Sequence, residues 1–214
     1  MSFEFKIKNS QFKIAKAFAF AACLVPLAWL AYDDYTDSLG VNPIETITRW
    51  TGTSTLLFLL ITLSVTPLRK ISRYQSLIKF RRMFGLFAFF YACLHFTTYI
   101  WLDQFFDLGE IVKDVAKRPF VTVGFASFVS LIPLAITSTS AMVRRLGKRW
   151  QQLHRLVYAI AIGGVVHYLW LVKADIRLPL LYAAILTSLL GFRLIVKWRP
   201  RLYMGFINRA SSAP

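Results

Sequence analysis

Six apolar runs, each close to twenty residues long, decide what this chain can fold into. They fall at 14–31, 48–66, 82–101, 120–136, 153–172 and 178–197, and a helix that crosses the hydrocarbon core of a bilayer needs about 20 mostly apolar residues. The connections between them are too short to carry a core of their own. Residues 1–214 therefore read as one domain, an all-α integral membrane protein built as a bundle of six transmembrane helices. Pro26 and Pro133 lie inside apolar runs and are expected to kink their helices where neighbouring helices re-satisfy the backbone.

Charge supports the same reading. The chain holds 26 Lys and Arg against 10 Asp and Glu, a net charge of +16, which in a soluble protein is the footprint of nucleic-acid binding. Here the basic residues are bunched between apolar runs, the pattern of cytosolic loops, so no nucleic-acid partner is expected. Segment 68–82 carries Arg69, Lys70, Arg73, Lys79, Arg81 and Arg82; segment 141–150 carries Arg144, Arg145, Lys148 and Arg149; the tail carries Lys197, Arg199, Arg201 and Arg209. Nine of the ten acidic residues sit in the alternate connections, only Glu4 lying elsewhere. Both termini are thus expected in the cytosol. Trp29, Trp50, Trp101 and Trp170 fall near span ends on the acidic side, as an interfacial aromatic belt requires. The start of the chain resembles a signal peptide, but its apolar segment is long, and Asp33 and Asp34 follow without a small-residue cleavage site. The reading is a retained first span.

The two cysteines, Cys23 and Cys93, lie within apolar runs and far from any CxxC spacing; they read as small buried hydrophobes. The three histidines carry more information. In LHRLVYAIAIGGVVH, residues 153–167, an imidazole stands near each end of an apolar run. At 1.5 Å rise per residue, His154 lies about 7 Å inside the cytosolic boundary and His167 roughly 20 Å further along. His95, thirteen residues beyond Arg82 on a span running in the same direction, reaches the depth of His167. One metal ion cannot bridge His154 and His167, whereas His95 and His167 at matched depth suit a flat cofactor held between two helices, and imidazole is a common axial ligand of haem iron. Gly163 and Gly164 next to His167 leave room for a macrocycle to approach the backbone, and Gly85 offers the same on the third span. On a straight helix His154 and His167 point about 140° apart, so cofactors on both occupy different depths and azimuths unless the helix is locally distorted. Zinc needs three or four ligands, and a proton or ion carrier is expected to show a buried carboxylate; the spans offer neither. Interhelical hydrogen bonding by packing histidines stays open beside the haem reading, although ionisable groups in a membrane are by default functional candidates.

Several segments carry a family resemblance: LLFLLITLSVTPLR, RRMFGLFAFFYACLHFTTY, VVHYLWLVK and above all LGKRWQQLHRLVY. They resemble the haem-binding membrane subunits of bacterial periplasmic methionine sulfoxide reductase systems, the MsrQ/YedZ family, which belongs with the ferric-reductase-like transmembrane domains. The resemblance covers the chain from about residue 14 to residue 198. It implies a multi-pass b-type cytochrome of the bacterial inner membrane, with one or two haem b groups. Such a subunit passes electrons to a periplasmic molybdopterin-containing methionine sulfoxide reductase subunit and is not itself the catalyst. By the same resemblance His95 and His167 bracket the outer haem iron, and His154 serves an inner haem or the route by which electrons arrive. The position of a fourth histidine is held by Arg81, a departure from the related oxidases. Those oxidases also continue into a cytosolic flavin domain, so here electrons are expected from a quinol, a bound flavin mononucleotide (FMN) or a cytosolic flavin reductase. The alternative function is a stand-alone transmembrane reductase of ferric chelates or oxygen. Asp33, Asp34, Asp37, Asp103, Asp107 and Asp114 either steer a partner at the acidic face or form a solvated rim; the basic loops contact anionic lipids or dock an acidic partner or flavin phosphate.

Overall fold

Backbone amides in hydrocarbon have no water to bond, so the apolar runs must satisfy them internally as helices. The computed structural model describes residues 9–210, with side chains from 10 to 198; Glu4 and the side chains of Arg199, Arg201 and Arg209 lie outside the described parts. Nine α-helices follow one another: α1 (Asn9–Tyr35), α2 (Pro43–Ser72), α3 (Ile78–Thr98), α4 (Leu108–Lys117), α5 (Pro119–Ile136), α6 (Ser140–Leu146), α7 (Lys148–Leu153), α8 (Leu156–Leu171) and α9 (Arg177–Ala210). Among the described residues no strand occurs. Among the described residues five segments are long and apolar enough to cross a membrane: Ser10–Tyr35, Pro43–Ser72, Gln75–Asp103, Pro119–Ile136 and Arg177–Trp198. The protein is a multi-pass membrane protein.

The expected span 153–172 is not one helix. The chain turns at His154 and Arg155, where the amides of Val157 and Tyr158 bond back only three residues, to His154 and Arg155. What continues is α8, 16 residues long, or about 24 Å. The straight-helix geometry expected for His154 and His167 therefore does not apply. Elsewhere the helices overrun the apolar runs, because hydropathy marks the hydrocarbon while hydrogen bonding carries a helix on into the interface.

Local signals set the ends. Asn42 caps α2 by accepting from the Glu45 amide at 3.3 Å and donating to its carboxylate at 3.2 Å, with Pro43 in the first turn; this is a reciprocal cap. Arg73 ends α2 in the left-handed region at φ 58°. The acidic stretch after α3 is more than a loop: Asp107 caps an amphipathic α4 by accepting from the Glu110 amide at 3.0 Å.

Two antiparallel pairs, α2 with α3 and α5 with α8, form the body of the bundle. Leu63, Ala88, Tyr91 and Ala161 are essentially sealed within it, and Phe58 stacks on Tyr91 at 5.2 Å. Near Pro26, donors from other helices reach backbone carbonyls: Trp50 Nε1 donates to Pro26 O at 2.7 Å and the Tyr91 hydroxyl to Cys23 O at 2.8 Å. Trp50 thus faces inward, whereas Trp29, Trp101 and Trp170 are exposed as belt residues should be. Cys23 and Cys93 are free thiols, Cys23 buried and Cys93 partly so.

Candidate functional site

The two helix pairs each bring one imidazole to a common place. His95 comes from α3, His167 from α8, and their ring centres stand 6.2 Å apart, with ring planes at 75°. Each ring is fixed from the partner helix of its pair. His95 Nδ1 lies 2.9 Å from the carbonyl of Thr48 on α2, and His167 Nδ1 lies 2.6 Å from the carbonyl of Phe120 on α5. A carbonyl only accepts, so both Nδ1 atoms carry the proton and both Nε2 atoms keep a free lone pair. That is the tautomer of a metal-ligating histidine, whose other ring N–H commonly donates to a carbonyl or carboxylate.

The backbone beside each ring is glycine. A Cβ at Gly52 on α2 would meet His95 Cε1 at 3.0 Å, and one at Gly124 on α5 would meet His167 Nδ1 at 2.7 Å. Both rings occupy space that only glycine leaves open. Gly163 and Gly164 are placed differently. A Cβ on Gly163 would run into the Ser127 hydroxyl of α5, and one on Gly164 would meet Leu56 Cδ2 of α2 at 2.9 Å; their room is taken by close helix packing. Gly85 sees Thr62 only at ordinary contact distance, 3.8 Å.

His154 stands apart from the pair, at the turn between α7 and α8. Its ring stacks on Trp150 at 3.9 Å, and its Nε2 lies 3.0 Å from the Thr137 hydroxyl. Thr137 is itself held, donating to Pro133 O at 2.6 Å and accepting on its carbonyl from Trp150 Nε1 at 2.9 Å. The atom left free on the other two histidines is therefore engaged on this one. Arg81 of α3 is partly buried within electrostatic reach of His154 and of Arg193.

Among the described residues no group of three or more His, Cys, Asp or Glu side chains converges on a point. The chemistry of the His95–His167 pair does fit a haem. Two imidazoles on opposite sides of one metal, with metal–nitrogen bonds of about 2 Å, place their ring centres about 6 Å apart, and the free lone pairs are on the nitrogens required.

Two glycines of the candidate site carry no mark in the sequence. Gly52 and Gly124 lie in apolar runs like any packing glycine, and no spacing marks them as neighbours of histidines some forty residues away. Arg193 was legible: an arginine inside the run LLGFRLIV is a signal in its own right. Of the acidic residues, Asp107 is a helix cap and Asp114 is engaged by Arg118 at 2.7 Å and by the Tyr99 hydroxyl at 3.0 Å. Of the remaining aspartates, Asp33 is partly covered and Asp34, Asp37 and Asp103 are exposed.

The chain is similar to known proteins over most of its length. The model of the ferric reductase like transmembrane component family matches residues 20–165. A protein of Herminiimonas arsenicoxydans is 56% identical over 194 residues, covering 89% of either chain. One from Azospira oryzae is 53% identical, over 88% of this chain and 82% of its own, and one from Rhodospirillum rubrum is 50% identical, over 88% and 91%. All three bear the name of the haem-binding subunit MsrQ of protein-methionine-sulfoxide reductase. No solved structure matches. The chain belongs to the ferric reductase like transmembrane components and, among them, to the MsrQ/YedZ family.

Proposed function

We propose that this protein is the membrane electron-transfer subunit of a methionine sulfoxide reductase. In this reading it lies in the bacterial inner membrane as one six-span domain with both termini in the cytosol, α8 being the fifth of the six. It serves a periplasmic molybdopterin-containing catalytic subunit and supports repair of oxidised periplasmic proteins. The observation that carries the reading is the pair His95 and His167, locked through Nδ1 and free at Nε2 with ring centres 6.2 Å apart. A haem b bound there supplies reversible one-electron chemistry inside a bilayer that is otherwise closed to electrons. Thr48 and Phe120 hold the tautomer, Gly52 and Gly124 admit the rings, and Phe120 also flanks His167 at 6.2 Å.

His154, with Arg81 beside it, would hold a second haem or serve the route by which electrons arrive. Ligation through His154 Nε2 there requires the ring to exchange the Thr137 hydroxyl for iron. Electrons are supplied from the basic side, by a quinol, bound FMN or a cytosolic flavin reductase.

The test is a haem assay with oxidised and dithionite-reduced spectra of the purified protein and of His95→Ala, His167→Ala and His154→Ala. A low-spin b-type spectrum that collapses in the first two variants is the expected result, together with loss of electron delivery to the catalytic subunit. A wild type with no Soret band, purified from haem-replete cells, returns the histidines to helix packing. Rapid reoxidation by ferric chelates with no partner present favours the stand-alone reductase instead.

A further inference from the structure

Where α2, α8 and α9 converge near the basic end of the bundle there is an open cavity of about 300 Å³. Three cations line it, Lys70, Arg193 and Lys197, together with the hydroxyl-bearing Thr66 and Tyr158, and no carboxylate is among its lining residues. Arg193 is anchored at its base: Nη1 donates to the Tyr158 hydroxyl at 2.8 Å and Nη2 to Leu63 O at 2.6 Å, while the Tyr158 ring lies 5.3 Å from the guanidinium carbon. Its Nε is buried and finds no acceptor among the described residues. Arg81 adds positive charge nearby. A cation at this depth is costly unless it is paired, and none of its protein neighbours is an anion.

A second cavity, of about 370 Å³, continues along the seam between α8 and α9. Its lining is almost wholly apolar, with Ile162, Val166, Leu186, Leu190 and Leu194 among the residues that form it. Ile162 lies one helical turn beyond Tyr158, and Leu190 and Leu186 lie one and two turns before Arg193, so the groove runs along the same helix faces as the basic cavity. From Ala183 to Leu194 it runs eleven residues, about 16 Å at the helix rise and close to half of the ~30 Å hydrocarbon core. The pair of cavities has the form of a charged head and one acyl chain within a single leaflet.

We propose that this α2–α8–α9 site binds an anionic phospholipid, its phosphodiester among Lys70, Arg193 and Lys197 and one acyl chain in the α8–α9 groove. The inference is independent of the haem reading. Basic cavities between membrane helices on the cytosolic side are suited to anionic head groups, and the lipid joins α9 to the rest of the bundle.

Native mass spectrometry of the full-length protein in detergent, titrated with phosphatidylglycerol or zwitterionic phosphatidylethanolamine, tests it. The expected result is one tightly held phosphatidylglycerol per chain. Lys70→Gln/Lys197→Gln should weaken that step about tenfold or more, since a cation near a lipid surface gives roughly a fivefold gain, and phosphatidylethanolamine binding should be unchanged. That double variant leaves the Arg193 bonds intact. Thr187→Trp, which fills the groove without touching the head site, should also lower occupancy. Equal phosphatidylglycerol affinity in wild type and both variants overturns the proposal. So does displacement of the lipid by millimolar inorganic phosphate, which marks a site for a soluble anion, or by a neutral quinol whose affinity the lysine changes leave alone.

Discussion

Arg193 on α9 donates from Nη2 to the carbonyl of Leu63 on α2 at 2.6 Å, and Leu63 is the residue whose helical acceptor role has no donor. Its partner four positions on is Pro67, which has no N–H. The proline frees a carbonyl in the middle of a buried helix, and an arginine from another helix takes it. Leu63 is fully buried, so without Arg193 that carbonyl has no alternative in water.

Arg193→Met should therefore lower stability by about 1–3 kcal/mol, the usual range for orphaning a buried polar group. Pro67→Ala gives α2 back its amide, so in that background Arg193→Met should cost measurably less. Thermal unfolding of the four proteins in one detergent gives the coupling; additive effects would contradict the link.

Gly124→Ala should disturb the His95–His167 pair more than Gly52→Ala. Its Cβ would come within 2.7 Å of His167 Nδ1, against 3.0 Å from His95 Cε1 for Gly52, and it pushes on the atom bonded to Phe120 O. The expected readout is a larger loss of Soret absorbance for Gly124→Ala, with both variants folded by circular dichroism. Full haem content in Gly124→Ala would argue that the ring lies elsewhere when haem is bound.

Gly163→Ala should act on packing and leave the haem spectrum alone. The new methyl meets the Ser127 hydroxyl, and overpacking of this kind costs about 1–3 kcal/mol. Ser127→Gly in the same chain should restore the unfolding temperature. A changed spectrum with unchanged stability would move Gly163 from the helix contact to the cofactor.

Thr137→Val removes the hydroxyl 3.0 Å from His154 Nε2. If His154 binds a second haem, this frees the nitrogen and should raise occupancy of the haem fraction that His154→Ala removes. Redox titration of the two variants separates that fraction from the His95–His167 one. A single unaltered component in both proteins would leave His154 as a packing residue against Trp150 and Thr137.

By itself the sequence determined the solvent, the long helices apart from the break within 153–172, and the matched positions of His95 and His167. Those follow from one-dimensional physics: apolar run length against hydrocarbon thickness, charge between runs, and rise per residue. His95 and His167 were matched on that basis, and the structure sets them side by side. Azimuth and contact needed the tertiary structure. The turn at His154 and Arg155 breaks the helical phase on which the 140° separation rested, and helical phase cannot be read through a segment whose hydrogen bonds shorten from four residues to three. Gly163 and Gly164 lie four and three residues before His167 yet face Ser127 and Leu56, whereas Gly52 and Gly124, distant in sequence, face the two imidazoles. Which glycine lies against which ring depends on how α2 pairs with α3 and α5 with α8, and that pairing is fixed by side chains interlocking in three dimensions, where no sequence spacing records it.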